Sequence, residues 1–467
     1  MSLFFNKLFR RSSDAPKPQI STADENGPCT ASSQGTSWDD EEDTSKISKR
    51  ISATDSAFGV DDFKRVDFLL ELPFELAVQI AAHVKHLATI QTMAAVSKRW
   101  QRVARENEVW RSLYLFEWLA LSSSPNGSAE RTSQARRAQL QQHRLRLLST
   151  SGDENNKRHW QNIYRQGVAL DTNWRRGNVS VKYLSGHEDA VYCIQFDKRF
   201  LLSGSRDRTL RFWDLKEHQC VRTLEGHRGS VLCLQYDDKY IVTGSSDQTI
   251  VIWDHQTRKL LHTLRGHTAA VLDVCFNDWM IVSCSKDCTI KLWSLPGGQL
   301  LRTLEGHHAA VNAIHLHGDY IASASGDCTV KLWDVRTGRC TRDFAGHTRG
   351  LACVQFDGDY LVSGSNDHTI KVWDAATGLC LRTLVGHEDL VRTLCFNRKR
   401  IVSGSYDQTI KVWDYETGDL QLNLKGAHSS WIFHVQMDAT KIISSSQDKK
   451  IVVWDFSGDI ENASDFI

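Results

Sequence analysis

The sequence lacks three features that often assign a protein to a class at first sight: net charge, a long apolar run and an export signal. Its 57 lysines and arginines balance 56 aspartates and glutamates, giving +1 over 467 residues, so the whole chain has no electrostatic bias toward nucleic acid or membranes. No apolar run approaches the roughly 18 residues that span a bilayer. The opening MSLFFNKLFRR is too short in apolar residues for a secretory signal, and we expect a disordered tip there rather than an amphipathic membrane contact.

What the sequence does contain is a repeat with a period of 40 residues. A Gly-His pair marks six copies, and the seventh is altered to Gly426-Ala427-His428; the six pairs are Gly186-His187, Gly226-His227, Gly266-His267, Gly306-His307, Gly346-His347 and Gly386-His387. A tryptophan follows in every copy, at Trp213, Trp253, Trp293, Trp333, Trp373, Trp413 and Trp454. This pattern is that of the WD40 repeat, seven times over residues 178–457.

Each copy alternates short β-rich runs with turn residues, which predicts four strands per copy. Each copy is then one blade of a seven-bladed β-propeller. The last copy ends soon after Trp454-Asp455 without an outer strand, whereas NVSVKYL at 178–184 lies before the first Gly-His pair. We therefore predict that this N-terminal strand completes the seventh blade and closes the ring, which removes two exposed sheet edges.

Four polar positions in each copy resemble a nucleophilic triad in outline. In the second copy they are His227, Thr243, Asp247 and Trp253. The same positions recur in all seven copies with serine as the usual hydroxyl, and an enzyme has no use for seven triads. Buried polar groups must be paired, so we interpret each tetrad as a structural hydrogen-bond chain from Asp to His to hydroxyl to indole, and we predict no catalytic residue.

The chain has twelve cysteines. Without an export signal we expect reduced thiols in a cytoplasmic or nuclear protein. Cys284 and Cys288 have metal-ligand spacing, but they straddle a turn at which other copies carry other residue types. Cys193, Cys233 and Cys353 share one register on the first strand, which fits a small core residue. We predict no metal site and no cofactor.

A short apolar segment precedes the propeller. Residues 1–62 show no periodicity and predict disorder, but 63–118 read as several helices. Pro73 suits the start of the first helix. The apolar face of this helix is predicted to carry Leu76, Ile80, Ala81 and Val84. About 50 residues give a small core that is marginal alone, so its apolar surface favours contact with a partner.

This segment resembles the F-box through Leu72-Pro73, the run 96–100 ending in Trp100, and Val109-Trp110. In F-box/WD40 proteins the F-box binds the Skp-type adaptor of a cullin–RING ubiquitin ligase, and the propeller captures the substrate. The resemblance implies adaptor-binding roles for Leu72, Pro73, Trp100 and Trp110. The alternative is a helical cap that merely packs on the propeller. Residues 119–177 are predicted to be a basic, partly helical linker, and 458–467 a C-terminal tail.

Two positions per blade are predicted to project from the face around the central channel. One follows the first-strand Val, and the other precedes the tetrad Asp. They are Tyr192 and Arg206, Leu232 and Ser246, Leu272 and Lys286, Asn312 and Gly326, Ala352 and Asn366, Arg392 and Tyr406, and Phe433 and Gln447. Arginine forks and hydroxyls on one surface suit phosphate oxygens; the alternative is a scatter of solvated side chains.

Among F-box/WD40 proteins the chain most resembles the β-TrCP (β-transducin-repeat-containing protein) family, through runs such as GSVLCLQYDD, SASGD and RIVSGSYD. That family recognises Asp-Ser-Gly-x-x-Ser phosphorylated on both serines. Its binding positions fall here on Tyr192, Arg206, Ser230, Ser246, Leu272, Lys286, Asn312, Arg349, Gly350, Leu390, Arg392 and Tyr406. The chain departs from the family at Trp431, where an arginine is usual, and at Asn366, where a serine is usual. The region before the F-box shows no convincing dimerisation helix.

The sequence therefore predicts an all-α F-box module followed by an all-β seven-bladed WD40 propeller. The implied function is substrate recognition in an SCF-type ligase, with a Skp-type adaptor, a cullin–RING scaffold and phosphorylated proteins as partners and without nucleic acid or membrane. A WD40 scaffold that assembles complexes without ubiquitination is the alternative, and a hydrolase built on a tetrad is disfavoured by the sevenfold repetition.

Overall fold

The computed structural model describes residues 72–119, 160–458 and 460. Predictions for 1–62, for the basic stretch after residue 119 and for most of the tail fall outside these residues. The helices are α1 (Phe74–Ala82), α2 (Leu87–Val96), α3 (Lys98–Arg105), α4 (Asn107–Tyr114), a π-helical turn (Leu115–Leu119) and α5 (Trp160–Arg176). None of the described helices is long and apolar enough to cross a membrane.

The first helix begins directly after Pro73, as its fixed backbone angle favours. The predicted apolar face is divided between the core and the surface. Ala77 and Ala81 are buried against the other helices, whereas Leu76 and Ile80 are 45% and 47% exposed. Because α1 packs onto α4 through its small side chains, the larger aliphatic side chains turn outward.

The propeller consists of 28 strands in seven four-stranded antiparallel sheets. Blades 1 to 3 comprise β2 (Val191–Phe196), β3 (Phe200–Ser205), β4 (Thr209–Asp214) and β5 (Gln219–Glu225); β6 (Val231–Tyr236), β7 (Tyr240–Ser245), β8 (Thr249–Asp254) and β9 (Leu260–Arg265); and β10 (Val271–Phe276), β11 (Met280–Ser285), β12 (Ile290–Ser294) and β13 (Leu300–Leu304). Blades 4 and 5 comprise β14 (Val311–His317), β15 (Tyr320–Ser325), β16 (Thr329–Asp334) and β17 (Cys340–Ala345); and β18 (Leu351–Phe356), β19 (Tyr360–Ser365), β20 (Thr369–Asp374) and β21 (Cys380–Val385).

Blade 6 comprises β22 (Val391–Phe396), β23 (Arg400–Ser405), β24 (Ile410–Asp414) and β25 (Leu420–Leu424). Blade 7 comprises β26 (Ile432–Met437), β27 (Lys441–Ser446) and β28 (Lys450–Asp455), and its outer strand is β1 (Ser180–Ser185). β1 pairs with β28 in the register Val181 to Trp454, which confirms the predicted closure. Both ends of the repeat array are thus held in one sheet, and the outer edge of β28, which the last repeat alone would leave unpaired, is covered by β1.

Side chains of the first strands join neighbouring blades around the ring. Gln195 exchanges two hydrogen bonds with the backbone of Tyr236 in the next blade, at 2.7 and 3.0 Å. Gln436 accepts from the Phe196 amide at 3.0 Å and so joins blade 7 to blade 1. Backbone amides of the next blade are also bonded by Gln235, Asp273, Gln355 and Thr393. These bonds satisfy buried amides and make the ring a continuous unit.

The helix α5 belongs to both parts of the described chain. Near its start, Trp160 and Tyr164 lie in the hydrophobic core of the short helices. Near its end, Leu170 and Trp174 lie in a propeller core that also contains Phe456. Trp174 donates through its indole N–H to the Ala439 carbonyl at 3.0 Å. One continuous helix therefore connects the two cores.

Candidate functional site

The predicted tetrads are formed in all seven blades. The His Nδ1 lies 2.7–3.2 Å from an Asp carboxylate. The His Nε2 lies 2.7–2.9 Å from the Ser or Thr hydroxyl. The Trp indole donates to that hydroxyl at 2.8–3.0 Å. An ionised carboxylate only accepts, so Nδ1 carries the imidazole proton and the hydroxyl donates to Nε2.

The tetrad carboxylate is fully used in structural bonds. Asp247 accepts from His227, from the Arg228 amide and from both the amide and the hydroxyl of Thr249. Burial alone would raise the pKa of Asp247, but the hydrogen bonds from His227 and Thr249 outweigh it and hold the pKa well below its usual range. A carboxylate held in this way orders a turn and has no free oxygen for proton transfer, which supports the structural interpretation.

The turn beside each tetrad Asp stores backbone strain. The residue after the Asp has a positive φ in every blade although none is glycine; these residues are Arg208, Gln248, Cys288, Cys328, His368, Gln408 and Lys449. A left-handed conformation costs about 1–2 kcal/mol in a non-glycine residue, and the Asp side chain holds it by bonding across the turn. Cys288 thus lies in a strained turn, while Cys284 is buried.

The predicted burial of Cys193, Cys233 and Cys353 is confirmed. A β-carbon at Gly204 would lie 2.7 Å from the Cys193 sulfur, which shows how tightly the thiol is packed. In the part of the chain that the structure describes, no cluster of His, Cys, Asp and Glu is arranged to hold a metal ion.

The tetrad turns lie at one end of the blades, which we call the tetrad-turn face. A bulge interrupts the first two strands of every blade at this end, between residues such as Val191 and Cys193. The residue inside each bulge is the one predicted to project toward a ligand. The bulged residues are Tyr192, Leu232, Leu272, Asn312, Ala352, Arg392 and Phe433. A β-bulge re-aims a side chain out of the regular pleat, so the bulge gives these seven positions a common structural cause.

The second predicted position is bonded through its backbone to the residue two places before the first predicted position. The residue before the tetrad Asp donates its amide to the carbonyl of the residue before the first-strand Val, Leu or Ile, at 2.8–3.0 Å in all seven blades. The bonded pairs are Arg206 with Ala190, Ser246 with Ser230, Lys286 with Ala270, Gly326 with Ala310, Asn366 with Gly350, Tyr406 with Leu390, and Gln447 with Trp431. The structure therefore brings Ser230, Gly350, Leu390 and Trp431 to the same face as the two predicted positions.

The cations on this face are held in different ways. Arg392 is part-buried and donates to the Ala352 carbonyl of the preceding blade at 3.2 Å. Arg206 lies 3.7 Å from the Asp189 carboxylate. Arg349 and Lys286 are exposed. Burial raises the pKa of Tyr406, and the charge of Arg392 beside it opposes that rise; a neutral phenol next to a guanidinium can donate to an anion that the guanidinium attracts.

Small, polar and aliphatic residues line the face in blades 2 to 5. The Ser246 hydroxyl accepts from the Ser230 amide at 2.8 Å, and the Asn312 amide donates to the Leu351 carbonyl at 2.6 Å. A β-carbon at Gly350 would lie 3.0 Å from the Gly326 Cα. Only glycine permits this close approach of two backbones, which gives a physical reason for the residue type at Gly350. Leu272 is half-buried at its bulge.

Sequence reasoning missed one feature of this face. Trp431 stacks on Tyr406 with ring centroids 4.6 Å apart and 7° between the planes. Phe433 lies 5.9 Å from Tyr406 and 4.9 Å from Tyr192. Tyr192, Tyr406, Trp431 and Phe433 form one aromatic group from blade 6 across blade 7 to blade 1. The available signal was that aromatic residues occupy neighbouring positions in three consecutive blades.

The residues implied in adaptor binding occupy two environments. Pro73 is exposed and Leu72 part-buried, with the Leu72 carbonyl accepting from Arg99 at 2.6 Å. Trp110 is only 7% exposed and donates to the Ala104 carbonyl at 2.8 Å, and Trp100 packs against the same core. Trp110 thus supports the helical module from inside. The exposed apolar side chains of the module include Leu76, Ile80, Val96 and Phe116.

A family model described as "WD domain, G-beta repeat" matches more than half of the chain. Its seven matches are 178–214, 218–254, 258–294, 298–334, 338–374, 378–414 and 419–455. The chain belongs to the WD40-repeat family. A second model, described as F-box-like, matches residues 69–116, so this WD40 protein also carries an F-box. The two modules identified from the sequence, and the order in which they occur, are confirmed.

Relatives and solved structures match parts of this F-box/WD40 protein. An F-box protein of Saccharomyces cerevisiae is 31% identical over 34% of this chain and 24% of its own length. A probable E3 ubiquitin ligase complex SCF subunit sconB of Talaromyces stipitatus is 28% identical over 35% of this chain and 31% of its own. The crystal structure of the computationally designed Ika8 protein matches with a TM-score of 0.51 and 36% identity, over 58% of this chain and 85% of that one. The chain thus spans about a quarter to a third of the two curated relatives.

Proposed function

We propose that this F-box/WD40 protein is the substrate-recognition subunit of an SCF-type ubiquitin ligase. The relatives named as SCF subunits and the F-box segment support this role. In this account the F-box binds a Skp-type adaptor and through it a cullin–RING scaffold. The protein contributes proximity, since it raises the effective concentration of substrate lysines near the ubiquitin-charged enzyme.

The substrate signal in this proposal is a phosphorylated degron similar to Asp-Ser-Gly-x-x-Ser. The observation that carries it is the convergence of Arg206, Lys286, Arg349 and Arg392 with two tyrosines on the tetrad-turn face. Guanidinium groups bind phosphate oxygens through paired hydrogen bonds, and each charge-assisted bond contributes roughly 1.5–3 kcal/mol. Arg392 is held by its bond to the Ala352 carbonyl, and Tyr406 by its stack on Trp431, so these two groups are in place before the ligand arrives and the entropic cost of binding is lowered.

In this proposal the protein has no catalytic residue of its own. The triad-like groups on the blades are the tetrads, whose carboxylates are occupied by turn bonds. The cysteines that the structure describes are free thiols, as a cytoplasmic or nuclear location in this account requires. Neither nucleic acid nor a membrane is a partner in this account, since the net charge is +1.

Peptide binding in solution tests the proposal. The full chain is co-purified with a Skp-type adaptor, and fluorescence anisotropy is measured with Asp-Ser-Gly-x-x-Ser peptides that are unphosphorylated, singly phosphorylated or doubly phosphorylated. We expect phosphate-dependent binding that weakens with salt. Equal affinity for the phosphorylated and unphosphorylated peptides would refute the degron assignment. Failure of the adaptor to co-purify with a folded chain would favour a WD40 scaffold without ligase function.

A further inference from the structure

The aromatic group on the tetrad-turn face contains an indole, that of Trp431, whose ring N–H is not used in a structural hydrogen bond within the described part of the chain. The seven tetrad tryptophans, Trp110 and Trp174 each donate their ring N–H to a protein acceptor. The Trp431 indole N–H makes no such bond with the described residues, and its ring is only half-buried. Trp431 is therefore available both as an apolar surface and as a hydrogen-bond donor.

Phe433 forms the base of the aromatic group. It is buried beneath Tyr192 and Tyr406, which lie on either side of it at 4.9 and 5.9 Å between ring centroids. Trp431 is fixed by its stack on Tyr406, and its carbonyl accepts from the Gln447 amide. The group is thus preorganised, and an apolar side chain can pack on it without first ordering the aromatic rings.

Charged side chains border the aromatic group on both sides. Arg392 lies beside Tyr406 in blade 6, with the Asp389 carboxylate nearby, whereas Arg206 beside Tyr192 in blade 1 is paired with Asp189 at 3.7 Å. Arg392 is therefore the cation of this group that a phosphate would reach. The blade 7 positions between them are Trp431, Phe433 and Gln447, which carry no charge. A peptide that binds here meets a cation and then an uncharged aromatic surface, an arrangement that accommodates one phosphate next to an apolar side chain.

We propose that Trp431, supported by Tyr406 and Phe433, is a subsite for an apolar or aromatic peptide side chain within about three residues of a phosphate bound near Arg392. This inference rests on the proposed phosphodegron function and specifies its substrate class. The preferred ligand carries one phosphorylated residue and one large apolar residue. A second phosphate against blade 7 gains nothing, since the aromatic group offers it no cation.

The test uses the full chain in complex with its Skp-type adaptor and a set of singly phosphorylated peptides, each with its unphosphorylated counterpart. Phenylalanine or alanine is placed in turn at each position within three residues of the phosphoserine, and affinities are measured by fluorescence anisotropy. At one position we expect phenylalanine to bind about five- to tenfold more tightly than alanine, the size of an aromatic contact. That gain disappears in Trp431→Ala, is largely retained in Trp431→Phe, and is unaffected by salt.

Trp279→Ala is the matched control, because Trp279 is 52% exposed and lies in the β10–β11 turn, at the opposite end of the blades from the tetrad turns. This variant should keep the full phenylalanine gain. The inference fails if phenylalanine gives no gain at any position, or if Trp431→Ala retains the gain. Phosphate-dependent binding without a phenylalanine gain overturns only this inference, whereas binding without phosphate dependence overturns the proposed degron as well. Circular dichroism melting of each variant confirms that the propeller is folded.

Discussion

The indole of Trp174 stacks on the ring of Phe456 with centroids 3.9 Å apart and 12° between the planes. This contact fixes the end of α5 to the last blade, while Asn173 donates to the Phe456 carbonyl at 2.9 Å. Arg400 adds a hydrogen bond to Asp171 and lies over the Trp174 ring. Since the start of α5 lies in the core of the short helices, the helix sets the distance between the F-box module and the propeller.

Replacing the stacked indole should weaken this connection. Trp174→Ala is expected to lower the free energy of unfolding by roughly 3–5 kcal/mol, as large-to-small changes in a core do, measured by denaturant titration. The exposed Trp279→Ala serves as the control and should change stability by no more than about 0.5 kcal/mol. Equal, small losses for the two variants would show that α5 does not rely on the stack.

The exposed leucine and isoleucine of α1 give a test of adaptor binding. Leu76→Glu combined with Ile80→Glu should abolish co-purification with a Skp-type adaptor, because charged side chains on a buried interface must be desolvated without partners. Phosphopeptide affinity should stay unchanged, since the tetrad-turn face lies on the propeller. Retained adaptor binding would move the interface to another part of the helical module.

Stability should fall in acid because of the tetrads. Burial lowers the pKa of His267, His347 and His387 despite their Asp partners, so the unfolded chain takes up protons at these residues first as the pH falls below about 6.5. The pKa values of all seven tetrad aspartates are also lowered, that of Asp367 to about 2. Their contribution is present above about pH 4 and is lost below it.

One buried carboxyl acts in the opposite direction. Burial raises the pKa of Asp273 to about 6, against the amide bonds from Ile314 and Val274, so this residue favours the folded state as the pH falls toward 4. The tetrad histidines and aspartates outnumber this one group, so we expect the stability of the folded chain to fall with pH, most steeply below about pH 4. Thermal melting from neutral pH down to about pH 3 measures the change. A melting temperature that is level or rising over this range would contradict the tetrad account.

Arg392 should dominate phosphate recognition because it is part-buried and lies beside Tyr406. Arg392→Ala is expected to weaken phosphopeptide binding by about 10- to 100-fold, equivalent to about one charge-assisted bond. Arg392→Lys should recover only part of this loss, since an ammonium lacks the planar fork. Anisotropy over a salt series checks the result: unchanged affinity in both variants would exclude this residue from the site.

The repeat predicted most of the fold, because each blade carries its own local pattern of turns, strands and tetrad residues. The pairing of β1 with β28 could also be inferred, since the last copy lacks one strand. The orientation of Leu76 and Ile80 could not, because it depends on how closely α1 approaches α4. The stack of Trp431 on Tyr406 joins two blades, and the contact between Trp174 and Phe456 joins a helix to the end of the propeller. Such contacts leave no periodic trace in the sequence.

Ubiquitin transfer in a reconstituted system tests the central claim most directly. The full chain with its Skp-type adaptor, a cullin–RING scaffold and a charged ubiquitin-conjugating enzyme is mixed with a lysine-bearing substrate that displays a phosphorylated Asp-Ser-Gly-x-x-Ser segment. The account predicts ubiquitin chains on the phosphorylated substrate, and none on the unphosphorylated substrate or with Arg392→Ala. Adaptor binding and phosphopeptide binding without any transfer would contradict it, and would identify the protein as a scaffold.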